Sequence, residues 1–209
     1  MECIYIERLE MLSGKFEIPD AESRHLKALR IDSGNYILAS NGKGLICKLL
    51  IERAGKNQFY GTAIESYPNS GEANRHIAVA LGMLDDRNRF EFALEKSIEL
   101  GASQFIPLIS EFAVKSKLSL ERLHSKAIAS IKQCKRAKLP EITEPVKFID
   151  LLNNSQGYDS IILADENGSQ PSAAELGNRV LLIVGPEGGF SSHEHKKFEE
   201  INIIKWASV

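Results

Sequence analysis

Beyond residue 75 the chain alternates short apolar runs with helical patterns, and this alternation limits the fold more than any other sequence feature. The apolar runs are HIAVALG, QFIPLI, SIILAD and RVLLIV, at residues 76–82, 104–109, 160–165 and 179–184. Each has the length and composition of a buried strand. Strands that alternate with helices predict a parallel sheet with helices on both faces. In such sheets, ligands bind outside the carboxyl ends of the strands.

The first 67 residues show a different pattern, with short strands and one inserted helix. The predicted strands are CIYIE, NYILAS, GLICKLLIE and QFYGTAIESY, at residues 3–7, 35–40, 44–52 and 58–67. They predict a small β-barrel or sandwich. The stretch YPNSGEANR, residues 67–75, has the composition of a linker. We therefore predict two domains, residues 1–70 and residues 76–209.

Composition excludes several classes of protein. The 209 residues are 43% hydrophobic with a formal net charge of −2, as in ordinary globular proteins, and no apolar run approaches the roughly 18 residues of a membrane span. The N-terminus lacks the layout of a signal peptide, so the sequence predicts a cytoplasmic protein. Cys3, Cys47 and Cys134 form no Cys-x-x-Cys pair and SHEH lacks metal-binding spacing, so neither a disulfide framework nor a metal site is predicted.

The stretch LLIVGPEGGF, residues 181–190, carries a buried strand directly into a loop with few side chains. Three interpretations remain open from spacing: a phosphate cradle, a site for a cationic ligand beside Glu187, and a plain strand-to-helix turn. The Lys and Ser/Thr of a P-loop and the Gly-x-Gly-x-x-Gly fingerprint are both missing, which argues against phosphate. Ser191 and Glu194 have capping-box spacing, so a helix should follow the loop.

Basic residues cluster between positions 115 and 138, where the sequence has eight Lys and Arg residues and one acidic residue, Glu121. A smaller set, Arg24, Lys27 and Arg30, lies in the predicted N-terminal helix. Such clusters on a nearly neutral protein are candidate contacts for an extended polyanion. A solvated helix face is the competing interpretation.

Four blocks of sequence, in order, resemble the ribosomal RNA small subunit methyltransferase E family. They are HLKALRIDSGNYILASNGKG, RFEFALEKSIELGASQFIPLISE, KQCKRAKLPEI and VLLIVGPEGGFSSHE. The second block carries the family's EK-x-x-ELG pattern, and the third resembles its EQ-x-x-R-x-x-x-P-x-I pattern. Because the blocks span nearly the whole chain, the resemblance is more specific than any single motif.

The resemblance implies a PUA-like β-barrel at residues 1–70 that binds RNA, followed by a SPOUT-like (α/β-knot) methyltransferase domain at residues 76–209. It implies methylation of N3 of a uridine in 16S rRNA of the small ribosomal subunit, with S-adenosyl-L-methionine as cofactor, and a homodimer. The expected cofactor-binding residues are Leu163, Ala164, Gly185, Pro186, Glu187, Gly188 and Gly189. The expected RNA-binding residues are Arg24, Lys27, Arg30, Lys132 and Arg136. The group that accepts the N3 proton is not identified.

The chain departs from the family pattern at three places. Phe112 stands where members commonly have Arg, and Lys132 stands where they have Glu. The chain also stops at Val209, before the family's LG-x-R-x-LR-x-ETA segment, so we expect a domain truncated at its C-terminal end. The missing segment and the basic clusters leave a non-catalytic RNA-binding protein as an alternative. The strand that leads into the glycine-rich loop leaves a second alternative, a different nucleotide-binding α/β enzyme.

Overall fold

The computed structural model describes residues 1–9, 14–55, 58–114, 118–169 and 172–206. Lys115 and Lys117 of the basic cluster and residues 207–209 lie outside these ranges. The chain divides into two compact units: Met1–Glu72 with Ala127–Leu139, and Ala73–Lys126 with Pro140–Val209. None of the described helices is long and apolar enough to cross a membrane.

The first unit contains a five-stranded sheet and one helix before the linker. Its elements are β1 (Cys3–Tyr5), β2 (Lys15–Glu17), α1 (Asp20–Ala28), β3 (Tyr36–Ser40), β4 (Leu45–Ala54) and β5 (Gln58–Pro68). The strand order is β1-β3-β4-β5-β2, with β1 parallel to β3 and the other pairs antiparallel. Since β1 and β2 are unpaired edges among the described strands, the sheet is open and the predicted barrel is not confirmed.

The core of this unit forms because alternate strand residues turn inward. Ile37, Ala39, Leu49, Ile51 and Phe59 are all at most 1% exposed. Leu26 of α1, also fully buried, joins the same cluster.

The second unit is the predicted α/β domain. Its strands and helices are β6 (His76–Gly82), α2 (Arg87–Glu99), β7 (Gln104–Ile109), the first part of α3 (Leu120–Cys134), β8 (Glu141–Ile142), β9 (Val146–Lys147), α4 (Phe148–Asn153), β10 (Ser160–Ala164), β11 (Arg179–Val184), α5 (Ser192–Glu199) and β12 (Ile204–Trp206). The part of α3 from Ala127 onward belongs to the first unit. The main strand order is β12-β10-β11-β6-β7-β8, and β9 also pairs with β7. All of these pairs are parallel, which confirms the predicted sheet type.

Helices pack on both faces of the parallel sheet. On one face, Phe148 of α4 and Phe198 of α5 join Ile106 and Leu181 in one apolar cluster. On the other face, Phe90 of α2 contacts Phe105 of β7, with the rings edge to face at a centroid distance of 5.5 Å. Because Phe105 and Ile106 are consecutive, the pleat sends their side chains to opposite faces.

The division between units differs from the predicted domains in one segment. The break after Glu72 falls inside the predicted linker, but residues 127–139, predicted as part of the second domain, group with the first unit. The hydroxyl of Ser40 donates to the carbonyl of Arg136 at 2.9 Å, and the N–H of Ala137 donates to the carbonyl of Ser70 at 3.0 Å. These long-range bonds, which no local pattern encodes, hold the segment in the first unit.

Candidate functional site

The loop at residues 185–189, here called the glycine loop, leaves the carboxyl end of β11 as a tight turn. The N–H of Gly189 donates to the carbonyl of Pro186 at 2.9 Å, and Gly189 has a φ of 69°, which favours glycine. Phe190 then enters the apolar core, where its ring lies 5.0 Å from that of Phe198. The turn is therefore anchored at its end while its middle, Glu187 and Gly188, stays exposed.

The end of strand β6 lies directly against the glycine loop. A Cβ atom added to Gly82 would lie 2.4 Å from the backbone nitrogen of Pro186 and 2.5 Å from its Cδ. Atoms at these distances overlap, and the nitrogen and Cδ of Pro186 cannot move aside easily, because both belong to the rigid proline ring. Gly82 is thus required for the close approach of these strand ends, a role that its place at the end of HIAVALG did not reveal.

Glu194 joins the start of α5 to another strand-end loop. Its side chain is buried, and it accepts hydrogen bonds from the backbone N–H groups of Ser191 and Glu111, each at 2.9 Å. The first bond completes the predicted capping box, in which Ser191 Oγ accepts from the N–H of Glu194. The second, across 83 residues of sequence, holds the loop after β7 beside the glycine loop.

The loop after β7 supplies the side chains closest to Gly188. A Cβ atom added to Gly188 would lie 3.1 Å from Cβ of Phe112, which is half exposed. The departure from the family pattern at Phe112 therefore lies at the site itself. Ser110, at the same strand end, is buried, and its hydroxyl has no hydrogen-bond partner among the described residues.

Strand β10 brings Leu163 and Ala164 to the same edge of the sheet. Leu163 pairs with Ile183 of β11, so the strand-end residues of β10 and β11 lie side by side. The loop that follows is closed onto β12: the N–H of Asp165 donates to the carbonyl of Trp206 at 2.9 Å. A hydrogen bond from the N–H of Asn167, assisted by Lys205, lowers the pKa of the Asp165 carboxyl.

A cleft of about 670 Å³ opens on the other side of the glycine loop. Leu81, Arg89 and Phe92 line it together with Pro186 and Glu187. Glu187 forms no ion pair with any residue that the structure describes, so its carboxylate is available to a cationic ligand.

The structure brings all seven predicted cofactor-binding residues to the carboxyl ends of two adjacent strands, β10 and β11.

The predicted RNA-binding residues all lie in the first unit, in two different settings. Arg24, Lys27 and Arg30 are exposed on α1 and directly after it. Lys132 Nζ lies 2.7 Å from a carboxylate oxygen of Glu22. The side chain of Arg136 is 3% exposed and binds Glu72 at 2.7 Å. The sequence prediction assumed that Arg136 is available at the surface. In the structure its guanidinium is enclosed in the fold and is not available there.

Two further cations of the basic cluster are neutralised inside the second unit. Arg122 donates to both carboxylate oxygens of Glu91, a side chain only 4% exposed, and Arg87 donates to it as well. Lys126 binds Glu95 at 2.7 Å. These bonds favour a structural role for this part of the cluster, the alternative that composition left open. Among the described residues, no three His, Cys, Asp or Glu side chains are grouped to hold a metal ion.

The fold of the chain is similar to that of a solved structure. A crystal structure of a ribosomal RNA small subunit methyltransferase E from Neisseria gonorrhoeae, bound to S-adenosyl methionine, matches with a TM-score of 0.87, covering 100% of this chain and 89% of that one, at 21% identity. The match shows that the two chains share a fold.

Sequence comparison gives the family. The chain belongs to the RNA methyltransferase domain family, whose model matches residues 71–207. It is 25% identical to the ribosomal RNA small subunit methyltransferase E of Mesomycoplasma hyopneumoniae, over 89% of this chain and 82% of the relative. It is 26% identical to that of Bacillus subtilis, over 88% and 78%. The resemblance carried by the four sequence blocks is confirmed.

Proposed function

We propose that this protein methylates N3 of a uridine in 16S rRNA of the small ribosomal subunit, with S-adenosylmethionine as the methyl donor. The observation that carries the proposal is the exposed backbone of the glycine loop, which lies at the carboxyl end of a parallel strand in a domain of this family. Relatives named ribosomal RNA small subunit methyltransferase E, and the cofactor in a structural neighbour, support it.

The residues at the strand ends fit the chemical character of this cofactor. The bare backbone of Gly188 and Gly189 lets an adenine ring approach amide groups closely. The uncompensated carboxylate of Glu187 complements a cationic ligand, and the unpartnered hydroxyl of buried Ser110 offers one more hydrogen bond. Leu163 and Ala164 supply an apolar wall beside the loop.

The cofactor supplies an electrophilic methyl group on a sulfonium, and the acceptor is the uridine N3 after loss of its proton. The main task of the protein is to position the two reactants and to exclude water, since correct positioning of reactants supplies a large part of the rate enhancement. Gly82 and Glu194 hold the strand-end loops in fixed positions for this purpose. A base inside a helix is hard to reach, so the target uridine is expected in a single-stranded or splayed-out segment.

The first unit serves RNA binding in this proposal. Arg24, Lys27 and Arg30 are exposed and carry the charge needed for phosphate contacts. We also propose, from the family resemblance, a PUA-like first domain, a knotted second domain, a homodimer and a cytoplasmic location.

The test incubates the protein with methyl-labelled S-adenosylmethionine and small ribosomal subunits or 16S rRNA, followed by nucleoside analysis. Labelled 3-methyluridine is expected. Replacement of Glu187 by Ala should weaken cofactor binding about fivefold, as for the loss of one partly exposed ion pair, whereas the exposed Glu144→Ala control should bind normally. Cofactor and RNA binding without labelled 3-methyluridine would refute the proposal, and RNA binding without cofactor binding would favour a non-catalytic RNA-binding protein.

A further inference from the structure

Two adjoining cavities in the first unit share the side chain of Lys135 in their walls. The smaller, of about 310 Å³, is lined by Leu38, Ile46, Lys48 and Tyr67 among others. The larger, of about 480 Å³, is lined by His25, Lys132 and Gln133 among others. We call the two together the Lys135 groove. Both volumes lie within or near the range of about 300–1,000 Å³ that small ligands occupy.

Lys135 has an unfavourable backbone conformation for a lysine. It follows the last residue of α3 with a φ of 58°, and the N–H of Arg136 donates to the carbonyl of Ile131 at 3.0 Å, which completes a helix-ending motif. Glycine is the usual residue at this position, because a Cβ atom is disfavoured at positive φ. A strained lysine at a cavity wall is a reason to look for a ligand.

The ion pairs in the groove leave one cationic side chain uncompensated. Lys132 is bound by Glu22 and His25 lies 3.3 Å from Glu2. Lys48 binds Glu65 at 2.7 Å. Among the described residues that line the groove, Lys135 is the cationic side chain without a carboxylate partner. The Lys135 ammonium is therefore available to contact a phosphodiester of RNA.

The smaller cavity has the surfaces that a nucleobase needs. Leu38 and Ile46 supply apolar walls, and Tyr67, 38% exposed, supplies an aromatic ring. The hydroxyl of Tyr67 donates to Glu65, which in turn binds Lys48, so the ring is held in place. A second exposed ring, Tyr36, lies beside Lys48 at 5.3 Å from the ammonium to the ring centroid. Aromatic rings next to lysines are the usual platform for bases of single-stranded RNA.

We propose that the Lys135 groove binds a single-stranded segment of the RNA substrate, with one nucleobase against Tyr67 and a neighbouring phosphodiester on Lys135. The identity of the partner rests on the proposed function, whereas the groove itself rests on the residues above. The walls of the groove belong to the first unit, whereas the glycine loop belongs to the second.

The test measures fluorescence anisotropy of a labelled single-stranded RNA with the full chain over a range of salt concentrations. Replacement of Lys135 by Gly removes the charge and relieves the backbone strain, so the melting temperature should stay equal or rise while RNA affinity falls about fivefold and the salt slope becomes shallower by about 0.7. Replacement of Tyr67 by Ala should weaken binding about tenfold, and Tyr67→Phe, which keeps the ring, should restore most of it. Lys147→Ala, an exposed lysine of the second unit, is the matched control.

Several results would refute the proposal that the groove binds RNA. These are unchanged affinity in both Lys135→Gly and Tyr67→Ala, equal affinity for the same RNA in a duplex, or tight binding of free uridine monophosphate that depends on Lys135. The methylation assay separates this proposal from the proposed function. Normal methylation with no effect of either substitution refutes the groove alone, whereas groove-dependent RNA binding without methylation refutes the function alone.

Discussion

The carboxylate of Glu194 accepts a hydrogen bond at 2.9 Å from the backbone N–H of Glu111, a residue 83 positions earlier in the chain. This bond joins the loop after β7 to the first turn of α5, and α5 follows the glycine loop directly. The same carboxylate closes the helix cap at Ser191. One buried side chain therefore fixes two of the loops that form the candidate site, so stability and cofactor binding should change together when it is lost.

Replacement of Glu194 by Ala should lower the free energy of unfolding by about 2 kcal/mol, the cost of a lost cap plus an unpaired N–H at Glu111. S-adenosylmethionine affinity should fall as well, because the glycine loop loses its anchor. Urea unfolding and calorimetric titration measure the two effects. Glu199→Ala, an exposed position in the same helix, is the control, and cofactor affinity equal to that of this control would contradict the anchoring role.

Replacement of Gly82 by Ala should displace the glycine loop. The added methyl group would overlap the nitrogen and Cδ of Pro186, so we expect a loss of about 1–3 kcal/mol of stability and much weaker cofactor binding. Gly157→Ala is a matched control, because an added Cβ there meets no atom within 4 Å. Thermal unfolding and calorimetry compare the two, and wild-type cofactor affinity in the Gly82 variant would show that the loop adapts.

Local patterns predicted the strands of the second unit well but not their arrangement. HIAVALG and RVLLIV match β6 and β11 residue for residue, because buried parallel strands are continuous apolar runs. In the stretch VKFIDLLNN, the helix begins only at Phe148, because Val146 pairs with Leu108 of β7. The short edge strand β2 was not predicted. Strand order depends on packing between distant segments, which no local pattern encodes.

The candidate site was predictable only in those parts that are local in sequence. The glycine loop and the capping box are local in sequence, and both occur where predicted. The contact of Glu194 with Glu111 and the burial of Arg136 against Glu72 join residues far apart in the chain. A basic residue in sequence gives no sign of whether a carboxylate from another element neutralises it. Charge clustering therefore predicted an exposed side chain for Arg136, whereas the fold encloses that side chain.

Replacement of Glu91 by Gln should destabilise the protein in a pH-dependent manner. Hydrogen bonds from Arg122 and Arg87 lower the pKa of the Glu91 carboxyl below its ordinary value of 4.5. A carboxyl whose pKa is lowered by folding contributes stability that is complete above the ordinary value and is lost as the pH falls through the folded value. The variant should therefore differ from the wild type by about 1.5 kcal/mol at neutral pH, as for lost hydrogen bonds to a charged group, and by less below pH 4.5.

Urea unfolding at several pH values measures this difference. Glu121→Gln, an exposed carboxylate on α3, controls for the loss of one negative charge. A difference in unfolding free energy that stays constant from neutral pH to below 4.5 would show that the ionised form of Glu91 is not what stabilises the fold.

Combined replacement of Arg24 and Lys27 by Ala and of Arg30 by Gly should weaken RNA binding and reduce its dependence on salt. Glycine is chosen at position 30 because Arg30 has a φ of 58°, which glycine adopts without strain. Each lost phosphate contact on a single strand changes the slope of log affinity against log salt by about 0.7, so the slope should become shallower by about 2. Because phosphate contacts carry no sequence information, affinity should fall equally for RNAs of different sequence. Anisotropy titrations at several salt concentrations test this against a Lys147→Ala and Lys196→Ala control in the second unit, and an unchanged slope would remove α1 from the RNA-binding surface.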